Sequence, residues 1–469
     1  MSRILPILMP VVSLVLLVFG AGVFVGEYQI PPYRTIADGA KTILYTYRGI
    51  SAPPYLGQFH AHSRERVALE DAVSSRFTPG PRAAEPQGRL LINGGLNEYL
   101  ELCPEHGCLA VEIDRSGALV HATPFRPDEI FAADMTGGSF GHQGVPGDPA
   151  LIFRPLGLQR YDNGDLLVSF QSTGNMFPFA AGAARVDRDG HPVWFRFDFS
   201  HHWATLLPDG RALVPDLDIA TGDWVVPVGP RGSREKLKCD TGKPQVDGVQ
   251  ILRADGSVER RIDVSAALLA SPWSAMLAET TNACDPLHIN YVDVLDYTAP
   301  GGALQPGNLL ISLRNLSAVA VLDPATDTIT DVLRGSFVQQ HSVHHLTGSK
   351  MVMFDNWGGD AEVGRVSRLL EKDLVTGAER RIFPQPGTPQ AAEQLFSDRG
   401  SHLSLSPDRR RALVSYSGEG RGYEVDVATG EVYLQYDSLH DLSAVPGANA
   451  AQKSHAARAS LFGMLYTGE

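Results

Sequence analysis

Residues 201–216 read HHWATLLPDGRALVPD. A histidine pair opens a short apolar run, a Pro-Asp-Gly turn reverses the chain, and a second apolar run returns to an aspartate. Apolar runs on either side of such a turn mark a β-hairpin. The same layout recurs. His341 stands ahead of residues 345–356, HLTGSKMVMFDN, and His402 opens residues 402–416, HLSLSPDRRRALVSY. His288 lies in residues 285–297, DPLHINYVDVLDY, and that strand returns through residues 306–315, PGNLLISLRN. Each histidine falls near the start of an outgoing strand, and the matching return strands end at Asp216, Arg314, Asp355 with Asn356, and Tyr416. In an antiparallel hairpin the start of one strand lies beside the end of the next. Stacked around an axis, such hairpins gather imidazoles, one guanidinium and amide or carboxylate groups at a single mouth.

A second class of hairpin alternates with the first. Its members are residues 113–122 (IDRSGALVHA), 186–195 (VDRDGHPVWF), 252–261 (LRADGSVERR), 322–331 (LDPATDTITD), 372–381 (KDLVTGAERR) and 425–434 (VDVATGEVYL), roughly 50 to 75 residues apart. Two hairpins per unit make four strands, which is one propeller blade. The expected fold is all-β: a six-bladed β-propeller over residues 90–445, preceded by an N-terminal transmembrane helix. Residues 27–89 read as an extension and linker, and residues 446–469 as a C-terminal tail. The insertion at residues 266–284 is expected to serve as a lid or substrate wall.

The 469 residues carry a formal net charge of −13 and no dense block of Lys and Arg, which argues against a nucleic-acid surface. A small anionic ligand remains compatible, because His and Arg can cluster locally in an acidic protein. Residues 4–25 (ILPILMPVVSLVLLVFGAGVFV) hold no charge and reach the roughly 20 residues that span a bilayer. Arg3 before and Glu27 after leave the N-terminus cytoplasmic. Residues 1–26 are therefore read as a single-pass anchor in a bacterial inner membrane, with the rest in the periplasm; a cleaved signal peptide is the rival reading. Cys103, Cys108, Cys239 and Cys284 fit one or two disulfides in an exported protein. Cys103 and Cys108 close a short loop, Cys239 and Cys284 pair by elimination, and a zinc site at Cys103, His106 and Cys108 is the competing reading.

Transfer of an anionic group needs a nucleophile, cations around the transferred oxygens and an acid for the leaving group. His341 as nucleophile, Arg314 as a fork for paired oxygens, and His202 and His288 as proton donors meet that list. His201, Asn290, Asn315, Asp355 and Asn356 are placed with the substrate, as groups that orient the imidazoles or complete the polar wall. Trp194, Trp203 and Trp357 are candidates for an aromatic lining, and His402 reads as structural.

Residues 201–210 (HHWATLLPDG), 285–290 (DPLHIN), 311–323 (ISLRNLSAVAVLD), 339–346 (QQHSVHHL) and 352–356 (VMFDN) resemble, in that order, the bacterial arylsulfate sulfotransferases. The resemblance runs from about residue 107 to residue 437. It implies a six-bladed propeller that moves a sulfuryl group from an aryl sulfate to a phenol without a nucleotide sulfate donor, and needs no cofactor or metal. By motif, the sulfated histidine falls on His341, the oxygen-binding arginine on Arg314, and the assisting histidines on His288 and on His201 or His202. The chain departs from the pattern at Trp203, where an acidic residue is usual.

Two other function classes stand beside this one. A non-catalytic propeller could display a binding surface, and the histidine cluster could ligate the metal of a hydrolase or lyase. A homo-oligomer is compatible with all three.

Overall fold

The computed structural model describes residues 67–68, 77–83, 88–94, 99–136, 153–172, 180–227, 233–302, 304–360, 364–398, 400–441, 443 and 455–467. The expected anchor at residues 4–25 lies outside the described residues. Among the described residues no helix is long and apolar enough to cross a membrane.

Among the described residues six antiparallel sheets follow one another as blades, five of four strands and the last of five. All six hairpins of the second class fall on the third and fourth strands counted from the inner edge. The recurring aspartate explains the repeat: a short acceptor at the first turn position holds the backbone amides that follow it. Asp114 Oδ1 accepts from Ser116 and Ala118 N–H, Asp187 Oδ1 from Asp189 and His191, and Asp373 Oδ1 from Val375 and Thr376. At Asp373 these amides and the Ser349 hydroxyl pull the carboxyl down to about 2.

The inner strands are Phe153–Arg160, Thr205–Leu206, Ile289–Val294, His341–Thr347, His402–Leu405 and Gly463–Thr467. Middle strands such as Leu309–Leu313 and Ala318–Asp323 are buried on both faces and read as continuous apolar runs. Six apolar clusters fill the gaps between neighbouring blades; Val249 and Ile311, for example, belong to the one between the third and fourth. A smaller one, Leu156, Trp203, Tyr291 and Phe462, lies where inner-strand segments of the first four blades meet.

Three expectations need correction. The segment read as a C-terminal tail supplies Gly463–Thr467, which pairs with Arg89–Asn93 and completes the first blade. It is the inner strand of that blade and covers an edge that Arg89–Asn93 would otherwise leave unpaired, so this strand is structural. Phe77–Pro79, from the expected linker, adds a fifth strand to the last blade. The insertion at residues 266–284 forms no wall: within Val264–Ala270 and Ser274–Glu279, Leu268, Met276 and Leu277 are buried in the core between the third and fourth blades. Its apolar spacing drives it inward.

Candidate active site

Both disulfides form, Cys103–Cys108 and Cys239–Cys284. The first removes the thiolates that the zinc reading required. The second ties the loop ahead of His288 to the third blade, since Cys284 precedes Asp285 and its carbonyl accepts Gln245 N–H.

The hairpin register emerges as the sequence implies. Ser200 bridges to Asp216, Ile289 pairs with Leu313 beside Arg314, His341 with Phe354, and His402 with Ser415. The chain bends sharply where the histidines leave it: His202 and His288 have φ of 54° and 52°, and Gln339 and Ser342 flank His341 at 53° and 48°. Left-handed backbone at non-glycine residues stores strain, and here it swings the rings toward the axis.

His202, His288, Arg314 and His341 line one cavity of about 860 Å³. The His202 ring centroid lies 5.1 Å from that of His288 and 6.1 Å from that of His341. The remaining walls come from loops and strand ends: Trp357, Phe396 and Phe462 give aromatic surface, with Arg154 and Glu419 among the charged groups. Trp357 and Phe396 meet edge to face at 5.2 Å, and the Arg154 guanidinium lies 4.9 Å from the Phe462 ring centre. Of the three tryptophans singled out in the sequence, only Trp357 lines the cavity. Trp194 packs between the second and third blades, and Trp203 is fully buried.

The amides and carboxylates placed with the substrate stand behind the cavity wall. Asn356 donates to the Ser397 and Gly400 carbonyls at 2.9 and 3.1 Å, which turns its Oδ1 toward His341 Nδ1 at 2.6 Å. An amide oxygen only accepts, so His341 carries its proton on Nδ1 and presents a bare lone pair on Nε2. Burial, and then the Arg314 charge, hold its pKa well below the usual histidine value. Asn315 Oδ1 and Gln339 Oε1 each accept one Arg314 N–H at 2.9 Å and so fix the guanidinium plane. Asp355 accepts Val338 N–H, Gly358 N–H and Arg368 Nε–H, and braces the loop before His341. Asn290 donates to the Gln340 carbonyl at 2.8 Å. Of the paired histidines, His202 lines the cavity, while fully buried His201 meets it from behind, Nδ1 to Nδ1 at 2.7 Å.

Burial, and then the surrounding histidines and Arg314, push His202 well below its usual value, and burial beside His288 brings His201 down to about 3. His288 Nδ1 donates to Asp285 Oδ2 at 2.5 Å. Asp285 is absent from the sequence reading. Its signal was available, an acid three residues before the histidine in DPLHIN. His402 keeps the register but stacks on Trp203 at 5.0 Å and lines a separate cavity of about 310 Å³.

No curated protein matches the chain. Among solved structures, a protein of unknown function from Bacteroides caccae is 14% identical, with 82% of this chain and 100% of that one covered and a TM-score of 0.43. Virginiamycin B lyase from Staphylococcus aureus is 9% identical over 61% and 87%, at 0.34, and hydrazine synthase from Kuenenia stuttgartiensis 12% over 76% and 80%, at 0.35. These likenesses are too weak to bear on function. The family model of the arylsulfotransferases (ASST) matches residues 157–438, a span that takes in His202, His288, Arg314 and His341. With more than half of the sequence matched, the chain belongs to the arylsulfotransferase (ASST) family and is an arylsulfotransferase-like enzyme that uses no nucleotide sulfate donor.

Proposed function

We propose that the protein moves a sulfuryl group from an aryl sulfate to a phenol in two half-reactions, with His341 Nε2 holding the group in between. The observation that carries this reading is the Asn356 amide, whose two carbonyl partners leave His341 no tautomer but the one with a free Nε2 lone pair. A neutral imidazole is a nucleophile and its protonated form is not.

In the first half-reaction Nε2 attacks sulfur and the bond from sulfur to the aryl oxygen breaks. The departing phenolate takes a proton from His288 Nε2 and leaves as a phenol. In the second, an acceptor phenol returns a proton to His288 as its oxygen attacks sulfur and the S–N bond breaks. His288 suits this task better than His202. Asp285 compensates the charge when a second proton sits on the His288 ring, whereas His202 meets other histidines and the Arg314 guanidinium. Arg314 supplies planar donors to the sulfuryl oxygens, where charge is greatest. The aromatic walls stack on the ring of donor or acceptor.

The two disulfides support an exported location, with the propeller in the periplasm and residues 4–25 as its membrane anchor. The activity is tested by mixing a chromogenic aryl sulfate with a series of phenols. Parallel double-reciprocal lines support two half-reactions sharing one site; intersecting lines would replace them with direct transfer.

A further inference from the structure

Two carboxyl groups grip the turn that carries His288. Asp285 Oδ2 accepts the imidazole Nδ1–H, and Asp247 Oδ1 accepts the backbone N–H of Ile289 at 3.2 Å. Asp247 is itself fixed, since its own N–H donates to Ser265 Oγ at 2.9 Å. Both side chains are buried, Asp247 at 0% and Asp285 at 6% exposure. Each keeps one buried oxygen, Asp247 Oδ2 and Asp285 Oδ1, without a hydrogen-bond partner among the described residues. Buried oxygens are seldom left so, because each unmet acceptor loses its hydration for nothing in return.

The surrounding charges do not fill the gap. Asp216, on the neighbouring strand, binds Arg261 Nε–H at 2.6 Å and Gln250 at 3.2 Å, so that cation is already engaged. His201 is neutral, and His288 gives its Nδ1–H to Asp285. Two ionised carboxylates in this interior would repel each other. A single proton resolves both problems, since it supplies a donor on one carboxyl for the idle oxygen of the other.

We propose that Asp247 holds a proton and donates it to Asp285, which makes Asp247 a positioning residue for the proton transfers of His288. The inference rests on His288 being the acid and base of sulfuryl transfer. Burial, and then the charge of Asp285, raise the Asp247 carboxyl well above the ordinary range, the direction that favours a proton there. The donated hydrogen bond stabilises Asp285 as an anion. The proton shared along Asp285–His288 then stays on Nδ1, and the anionic Asp285 favours a second proton on Nε2, which is the one the phenolate collects.

The test uses the full-length enzyme and two donors, one with a good leaving group (4-nitrophenyl sulfate) and one with a poor leaving group (phenyl sulfate). Asp247→Asn keeps an N–H for Asp285 and an oxygen for Ile289 N–H, and should stay within about twofold of the parent on both donors. Asp247→Leu removes the donor. It should lose roughly tenfold or more in kcat with phenyl sulfate and much less with 4-nitrophenyl sulfate, because only the poor leaving group needs the acid. In infrared difference spectra at neutral pH, a protonated-carboxyl band should be present in the parent and absent from Asp247→Asn. A parent without that band, or equal losses in Asp247→Leu on both donors, would overturn the proposal. His288→Ala serves as the control for the underlying reading: if it spares phenyl sulfate as much as 4-nitrophenyl sulfate, the role of His288 fails, whatever Asp247 does.

Discussion

At the scale of single residues, the site depends on which nitrogen of His341 is bare. Asn356 decides this, so Asn356→Ala should leave the ring unoriented and lower kcat roughly a hundredfold, as loss of alignment commonly does, while His341→Ala should lose turnover altogether. Steady-state rates with 4-nitrophenyl sulfate would check both. Arg314→Lys should also lose most activity, because a point charge cannot reproduce the guanidinium plane that Asn315 and Gln339 hold. The pH dependence follows from direction alone. The His341 pKa is depressed, so its lone pair persists as pH falls through the ordinary histidine value. Phenol release in the first half-reaction with 4-nitrophenyl sulfate should therefore stay level from about pH 8 to below about 6.5, the ordinary histidine value; a decline centred there would show an unshifted nucleophile. His202, His288, Arg314 and His341 were legible in the sequence because hairpin register and chemistry coincide there. Which nitrogen Asn356 would hold was not legible, since that depends on its two carbonyl partners from a distant loop, whereas Asp285 did leave a signal, standing three residues before His288.

At the scale of elements, alternation and turn chemistry exposed the six outer hairpins, because the Asp-led turns are satisfied locally. The cavity walls were hidden for the opposite reason. Phe396, Phe462 and Arg154 reach the site from loops and strand ends whose conformation is set by neighbouring blades. Close packing between blades also makes the site sensitive to distant changes. Gly157 lies against the His202 carbonyl so tightly that a methyl group there would overlap it. Gly157→Ala should shift His202 and reduce kcat more than it alters KM for the aryl sulfate. The Cys239–Cys284 disulfide closes 45 residues of chain ahead of Asp285 and His288. Replacing both cysteines with alanine should lower stability by up to about 4 kcal/mol by the chain-entropy argument, measured by denaturant unfolding of oxidised parent and variant.

At the scale of the whole molecule, two properties arise from closing the ring. Gly463–Thr467 completes the first blade, yet its partner lies near the other end of the described chain, so no local signal announces it. Truncation after residue 459 should open that blade and lower the melting temperature sharply; a truncated protein melting like the parent would show that the ring closes without this strand. The axis also buries several neutral histidines. His201, His202, His341, His344 and His402 all have depressed pKa values, chiefly through burial. The unfolded chain then binds more protons than the folded one below the ordinary histidine value of about 6.5. Stability should fall as pH drops from about 6.5 toward the depressed values, with each group adding up to about 1.4 kcal/mol per pH unit. His402→Leu, which keeps the site histidines, should make that fall shallower by about one proton in unfolding curves between about pH 7 and 5.

The central claim is that His341 Nε2 carries the sulfuryl group between donor and acceptor. The most direct measurement is rapid quenching of the enzyme with an aryl sulfate and no acceptor, followed by mass analysis of its peptides under alkaline conditions. A sulfuryl adduct on His341, formed at one per chain and discharged by added phenol, is the expected result. An adduct on another residue, or full activity in His341→Ala, would contradict it.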